Sequence, residues 1–483
     1  MTRNGLIALL ASQAAALALA GCALGPDFER PAPTQVSRYT AQKLAIEAPG
    51  GASAQHVVAG ESLRDDWWRL FQSDALDGVV ARALAGNRTL ASAAATLAQA
   101  QELAVAQAGA LSPQIGINAG IGRQKYGAEF LGSSPKPPPF TYFAVGPTIS
   151  YALDYTGGIA RSVEQREALA EFQREQLNAA YLAVSGNAVM QSLKIASLRA
   201  QIATLDAILG QDRENLKLVH LAFSAGSVSR LDIVSAQSQL ASDTTLLPPL
   251  RQQLGVARHA LAVVMGDAPA AAELPDFDLA RLTLPEELPL TLPSELAHRR
   301  PDILAAEAQL HAATAAVGVA NANLYPHIDL SASTGQQAAD LGHLFDRASN
   351  VYGLAAALVA PIFDGGTLHA QQRAAVDALR ASTANYEQTV LSAFGQVADS
   401  LEALEHGAEA LAAQAHAQDA ASDNLDLTRK SYNAGNVGVL QVLDAERLYQ
   451  QARLGYVRAQ AQRYLDTVQL FLALGGSADG RDL

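Results

Sequence analysis

Few residues of this chain stand at spacings that do chemistry. Its single cysteine, Cys22, excludes an internal disulfide framework and any zinc site built on cysteine pairs. The 10 histidines fall at no metal-ligand spacing, and the sequence holds no H-E-x-x-H, no G-x-S-x-G and no Walker glycine loop. His298, beside Arg299 and Arg300, reads as a polar junction residue and not as a base. Asp302 follows Pro301 and so opens a helix as a cap or first-turn acid. Trp67 and Trp68 could line an aromatic pocket, but packing is the better reading. The expectation is a protein that is not an enzyme, with no cofactor and no metal. With 34 Lys+Arg against 47 Asp+Glu and a formal charge of −13, no nucleic-acid partner is expected, because phosphate neutralisation needs clustered cations. Hydrophobic residues at 49% and charged residues at 17% supply a core and exclude a disordered chain.

The one reactive side chain sits in a recognisable setting. Arg3 precedes an apolar run from Leu6 to Ala20, which ends Leu19-Ala20-Gly21-Cys22, the order of a secretory signal. A signal closing on Cys resembles that of a bacterial lipoprotein, whose thiol takes a diacylglycerol and becomes the first mature residue. An ordinary signal with a chance cysteine is the alternative. The run is short of the about 20 residues a membrane helix needs. Ala23, Leu24 and Gly25 include no Asp, which by resemblance to sorted lipoproteins favours the outer membrane. Residues 1–21 are therefore read as signal peptide and 22–66 as a lipidated, extended N-terminal segment.

The elements that follow are duplicated. Ala225-Gly226-Ser227-Val228-Ser229-Arg230-Leu231-Asp232 matches Ala434-Gly435-Asn436-Val437-Gly438-Val439-Leu440-Gln441, with Phe223 and Tyr432 two residues before each Ala. Tyr155-Thr156-Gly157-Gly158 aligns with Phe363-Asp364-Gly365-Gly366, and Leu111-Ser112-Pro113 with Leu324-Tyr325-Pro326. All three offsets are about 210 residues and collinear, the signature of a repeat. The first repeat is assigned to 67–290, the second to 291–475 and a tail to 476–483.

Each repeat contains two period-two stretches, about 113–124 and 140–155, then about 326–336 and 351–363. Ile115, Ile117, Ala119 and Ile121 alternate with Gln114, Gly116, Asn118 and Gly120. Strands of about ten residues with one apolar face suit a membrane barrel; a soluble sheet with one solvated face is the alternative. No stretch after the signal reads as a membrane helix, so any passage must be by strands. Long proline-free helices follow at about 159–223 and 367–432, each about 100 Å at 1.5 Å per residue, with return helices at about 231–264 and 440–474. Pro248-Pro249 is expected to kink the first return helix. Rods of that length must pack on other rods.

In its motifs the chain resembles an outer-membrane efflux factor of the TolC/OprM type, lipoprotein (NodT-like) branch. The resemblance covers the whole mature chain and rests on Cys22 with Gly25-Pro26-Asp27-Phe28, Trp67-Trp68-Arg69-Leu70-Phe71 and Arg299-Arg300-Pro301-Asp302-Ile303, together with Pro361-Ile362-Phe363-Asp364-Gly365-Gly366, both tip motifs and Leu474-Gly475-Gly476. It implies a homotrimer whose twelve-stranded β-barrel crosses the outer membrane and continues into a periplasmic α-helical barrel. Four strands per chain cannot close a barrel of at least about eight; two or three copies would, and the resemblance selects three. It also implies a passive exit duct for small molecules, served by a periplasmic adaptor and an inner-membrane RND-type pump. Type I protein or peptide secretion and a pore-less periplasmic coiled-coil scaffold are the alternatives. By the same resemblance Asp232, Arg230, Tyr432, Gln441 and Asp444 form a periplasmic gate, and Phe223, Gly226, Ser227, Gly435 and Asn436 dock the adaptor. The pattern departs from the family at Val437, where some members carry a base, and at Gln441, where Asp is often seen.

Overall fold

The computed structural model describes residues 24–32, 36, 38–40, 55–61, 63–125 and 138–476. Cys22, the signal peptide, the tail from residue 477 and most of the proline-rich loop before Pro138 lie outside the described residues. In chain order the elements are β1 (His56–Ala59), α1 (Asp74–Gly86), α2 (Arg88–Ala108), β2 (Gln114–Gln124), β3 (Phe140–Leu153) and α3 (Gly158–Ser224). Then come α4 (Arg230–Thr244), α5 (Leu247–Val264), β4 (Glu287–Leu290), α6 (Pro293–Leu296) and α7 (Pro301–Ala322). The chain ends with β5 (His327–Ala338), β6 (Asn350–Val359), α8 (Thr367–Asn433) and α9 (Val439–Ala473).

Two compact units emerge, and neither is a repeat. One gathers the chain up to Pro31 with Thr96–Gln173 and Ala305–Tyr386; the other gathers Ala32–Ala95, Arg174–Leu304 and Glu387–Leu483. Each takes matching pieces from both halves of the duplication, because half a sheet or a lone hairpin cannot bury its own apolar face.

The first unit is built on an antiparallel sheet of order β2-β3-β5-β6. Register aligns like with like: Ile115 pairs with Ile149, Ile149 with Ala332 and Ala332 with Leu354, so one apolar row crosses all four strands. The next row, Gln114, Ser150, Ser331 and Ala355, is polar or small. A one-residue slip would exchange these faces. The apolar row is bare in the single chain, with Ile115 74% and Leu354 79% exposed. Gly146 and Gly335 face each other so closely that a Cβ on either would strike the opposite backbone. Strand β6 stops at Val359, four residues short of the expected 363, because Pro361 has no N–H for the ladder.

At the strand ends an aspartate turns each repeat into its long helix. Asp154 accepts the N–H groups of Ile159 (3.0 Å) and Ala160 (2.7 Å). Asp364 accepts those of Gly366 (2.8 Å) and Leu368 (2.6 Å), and these bonds hold its carboxyl below the usual carboxylate range. Helix N-termini leave such donors free, and carboxylates suit them. In the same unit the N-terminal segment is strapped down. Leu24 N–H donates to Thr156 O (3.1 Å), Asp27 pairs with Arg161, Phe28 stacks on His311 (4.3 Å between centroids) and Arg30 meets Glu307 (2.7 Å).

The second unit has a core around Trp67, Phe71 and Phe471, so Trp67 is a packing residue, with Trp68 edge-on to it at 5.9 Å. Within the segment 22–66, β1 pairs in parallel with β4. The first return helix is broken into α4 and α5 at Thr245-Leu246, because Pro248 and Pro249 fit only the first turn of a new helix. Helix α7 has the length and hydropathy of a membrane span, which the sequence reading did not anticipate, but 56% of its apolar window is buried inside the protein.

The same unit joins two sequence motifs. Arg300, nearly fully buried, donates to both oxygens of Asp302 (3.0 and 2.7 Å) and to Gln396 Oε1 (2.8 Å), and its aliphatic stem packs where Gly475 leaves no side chain. His298 joins none of this. Arg300→Ala should cost about 2 kcal/mol by stranding these acceptors, read as a lowered apparent Tm, and Arg300→Lys should recover only part because a lone ammonium cannot make the fork.

Candidate functional site

The residues singled out by sequence gather at the ends of the helical hairpins, in the second unit. Helix α3 ends in a turn in which Ser227 N–H donates to Ala222 O (2.9 Å) and Gly226 N–H to Phe223 O (2.9 Å). Helix α8 ends identically, with Asn436 N–H on Ser431 O (3.0 Å) and Gly435 N–H on Tyr432 O (2.9 Å). Both are Schellman closures. Gly226 and Gly435 sit at φ +76° and +78° with open space where a Cβ would be, so backbone conformation and not crowding demands glycine. Phe223, Ser227 and Asn436 are exposed at these turns.

Beneath the turns an apolar cluster unites all four helices: Val219 of α3, Ile233 and Ala236 of α4 and Val439 of α9, with Tyr432 of α8 packed against it. Tyr432 is thus half-buried and anchored by its ring. Asp232 is committed locally, its Oδ2 accepting Ser229 N–H (2.7 Å) and Ser229 Oγ–H (2.8 Å). This is a capping box, legible in the Ser229-x-x-Asp232 spacing and missed by the sequence reading. Within one chain Asp232 and Tyr432 do not bond to each other. Arg230, at the first position of α4, is exposed and makes no ion pair among the described residues, although a cation there opposes the helix dipole. In the second turn the equivalent pair is Gly438 and Gln441, so the capping acid is replaced by an exposed amide. Asp444 is exposed and pairs with Arg447 (2.7 Å).

Two turns below, polar groups that no local pattern marked are buried between the hairpins. Glu446 of α9 accepts from Arg429 of α8 (3.1 Å) and from Asn215 of α3. Burial pushes the Glu446 carboxyl up, against the opposing pull of Arg429 and of Asn215. No group of metal-binding side chains occurs among the described residues. The arrangement offers four helix ends held by one apolar cluster, with Arg230 and several polar residues exposed around them.

Comparison with known proteins agrees with this architecture. The outer membrane efflux protein family model matches residues 79–267 and again 292–476, once in each half of the chain. The chain is 32% identical to the pyoverdine export outer membrane protein OpmQ of Pseudomonas aeruginosa, over 87% of this chain and 90% of that protein. It is 26% identical to the probable outer membrane lipoprotein SilC of Salmonella typhimurium, over 95% and 96% of the two chains. Its fold matches the solved outer-membrane channel OprN with TM-score 0.84 at 26% identity, over 95% of this chain and all of the other. The chain belongs to the outer membrane efflux protein family. It is an outer-membrane efflux channel and not an enzyme, with helical hairpins and membrane strands, and the pore-less scaffold alternative is overturned.

If Asp232 serves only the cap, Ser229→Ala and Asp232→Ala should each cost about 1 kcal/mol in stability and act alike. The check is an apparent Tm for each variant and for the pair.

Proposed function

We infer that this chain assembles as a homotrimer with a twelve-stranded barrel in the outer membrane. Its hairpins then form a periplasmic duct through which small molecules delivered by a pump leave the cell. The observation that carries this reading is the four-stranded sheet with an apolar row bare on one face and with β2 and β6 as unpaired edges. Open edges are not tolerated in hydrocarbon, so closure needs further copies, and twelve strands from three chains fall within the known range. Lipid attachment at Cys22 is supported by the signal pattern and by a relative named as a lipoprotein. The seat of Leu24 at the foot of β3 would then hold the anchor beside the barrel.

A small-molecule cargo is supported by the name of OpmQ, which exports pyoverdine. The partners are a periplasmic adaptor, met by the exposed turns at Phe223, Gly226, Ser227, Gly435 and Asn436, and an inner-membrane RND-type pump. The tips act as the gate. Arg230 is free to reach a neighbouring chain, Asp444, Gln441 and Tyr432 lie on the hairpin ends with it, and Asp232 shapes the turn that presents it. Opening is a population shift favoured by adaptor contacts.

Single-channel conductance of the purified mature protein in a planar bilayer, with its oligomeric mass measured in parallel, tests the reading. A trimer with small defined steps is expected; a monomer without conductance would overturn it. Asp232→Ala should raise conductance where Ser229→Ala does not if the carboxylate also faces the pore, whereas equal effects confine it to the cap. Leu354→Arg should hinder barrel insertion, at a cost of about 2–4 kcal/mol near the bilayer midplane, read as loss of heat-resistant trimer on a gel.

A further inference from the structure

Between the gate cluster and the break after α4 lies a carboxylate with nothing to hold one of its oxygens. Asp212 of α3 is only 5% exposed. Its Oδ1 accepts from Gln450 Nε2 of α9 at 3.0 Å, while its buried Oδ2 has no donor. The group facing it from α4 is a second carboxylate, Asp243, whose Oδ2 is held by Gln239 Nε2 at 2.7 Å. From α9 the facing charge is Glu446, 3% exposed. Arg429 of α8 pairs with Glu446 at 3.1 Å and makes no bond to Asp212. Two acids thus meet across α3 and α4, with an orphan acceptor and, among the described residues, no ion pair to either. One proton on Asp212 Oδ2, donated to the Asp243 carboxylate, satisfies the pair; two bare carboxylates repel.

We propose that Asp212 and Asp243 share a single proton that latches α4 onto α3, and that rising pH releases the latch. Burial, first among the causes, pushes Asp212 up to about 6; the Gln450 bond works against it, and Asp243 and Glu446 add to it. With α4 detached the carboxyl loses its cover on that side and its facing acid, and moves back toward its ordinary value of 3.8. A group raised in the packed state stabilises that state fully below its ordinary value, and the contribution is lost as pH rises through the packed-state value. The window is therefore between 3.8 and about 6, with the latch weakest above it. Because α4 carries the first tip turn back into the structure, its loosening would favour an open tip. Only that last consequence rests on the gate reading, since the latch is a matter of helix packing alone.

Hydrogen exchange of the α4 amides in the full-length, detergent-solubilised protein separates the two. After correction for intrinsic exchange, α4 should open roughly tenfold more often at about pH 7.5 than at about pH 5, with α9 beyond Gln450 as the unmoved reference. Asp212→Asn and Asp243→Asn should each remove the pH dependence, because an amide brings its own donor and does not ionise. Equal protection of the wild type at both pH values would overturn the latch. So would a pH dependence that survives Asp212→Asn, or one that Glu446→Gln removes and Asp212→Asn does not. Conductance that follows pH without any change in α4 exchange would leave the gate standing and sink the latch.

Discussion

Backbone hydrogen bonding in hydrocarbon governs this protein. Strands β2 and β6 each present a row of N–H and C=O groups with no strand partner among the described residues, and in lipid every unpaired group costs several kcal/mol. A single chain with four such strands is therefore an incomplete object, and assembly is a condition of its entering the membrane. The in-register apolar row from Ile115 to Leu354 answers the same demand on the side-chain side, since one face of every strand must meet lipid.

From that constraint the rest follows element by element. The sheet must feed long helices without leaving helix N-termini unsatisfied, and Asp154 and Asp364 meet that need in the two repeats from slightly different positions. The repeats interleave, so that each compact unit draws matching segments from both. Duplication produced two copies of a half-solution, and only their packing together buries the apolar faces of either. Gln450 and Glu446 of α9 show how closely the copies depend on each other, since they bond to Asp212 and Asn215 of α3.

The tips show the same ancestry with divergent chemistry. Both turns close with identical backbone bonds and a positive-φ glycine, because a chain reversal after a helix has few solutions. Their caps differ: Ser229 and Asp232 brace the first, while Gly438 and Gln441 leave the second with no charge of its own. The two hairpins are thus unequal in electrostatics while sharing one apolar cluster.

Much of this was legible in the sequence, since period-two alternation, proline-free runs and Ala-Gly reversals are local properties of the chain. The strands, the long helices and the tip glycines could be named from residue order alone, as could the absence of catalytic and metal motifs. The capping role of Asp232 was legible too, in the spacing to Ser229, although family resemblance directed attention to a pore instead. Where the apolar rows align across strands, how the repeats interleave and where the first return helix divides required the packed structure. The polar contacts beneath the tips belong to it entirely. Asp212 and Gln450 are 238 residues apart and Asn215 and Glu446 are 231 apart, and no local pattern in a polar helix tells which acid will be buried. Burial and partners are properties of the packed helices, so the surroundings of Asp212 were decided only when α9 and α4 packed against α3.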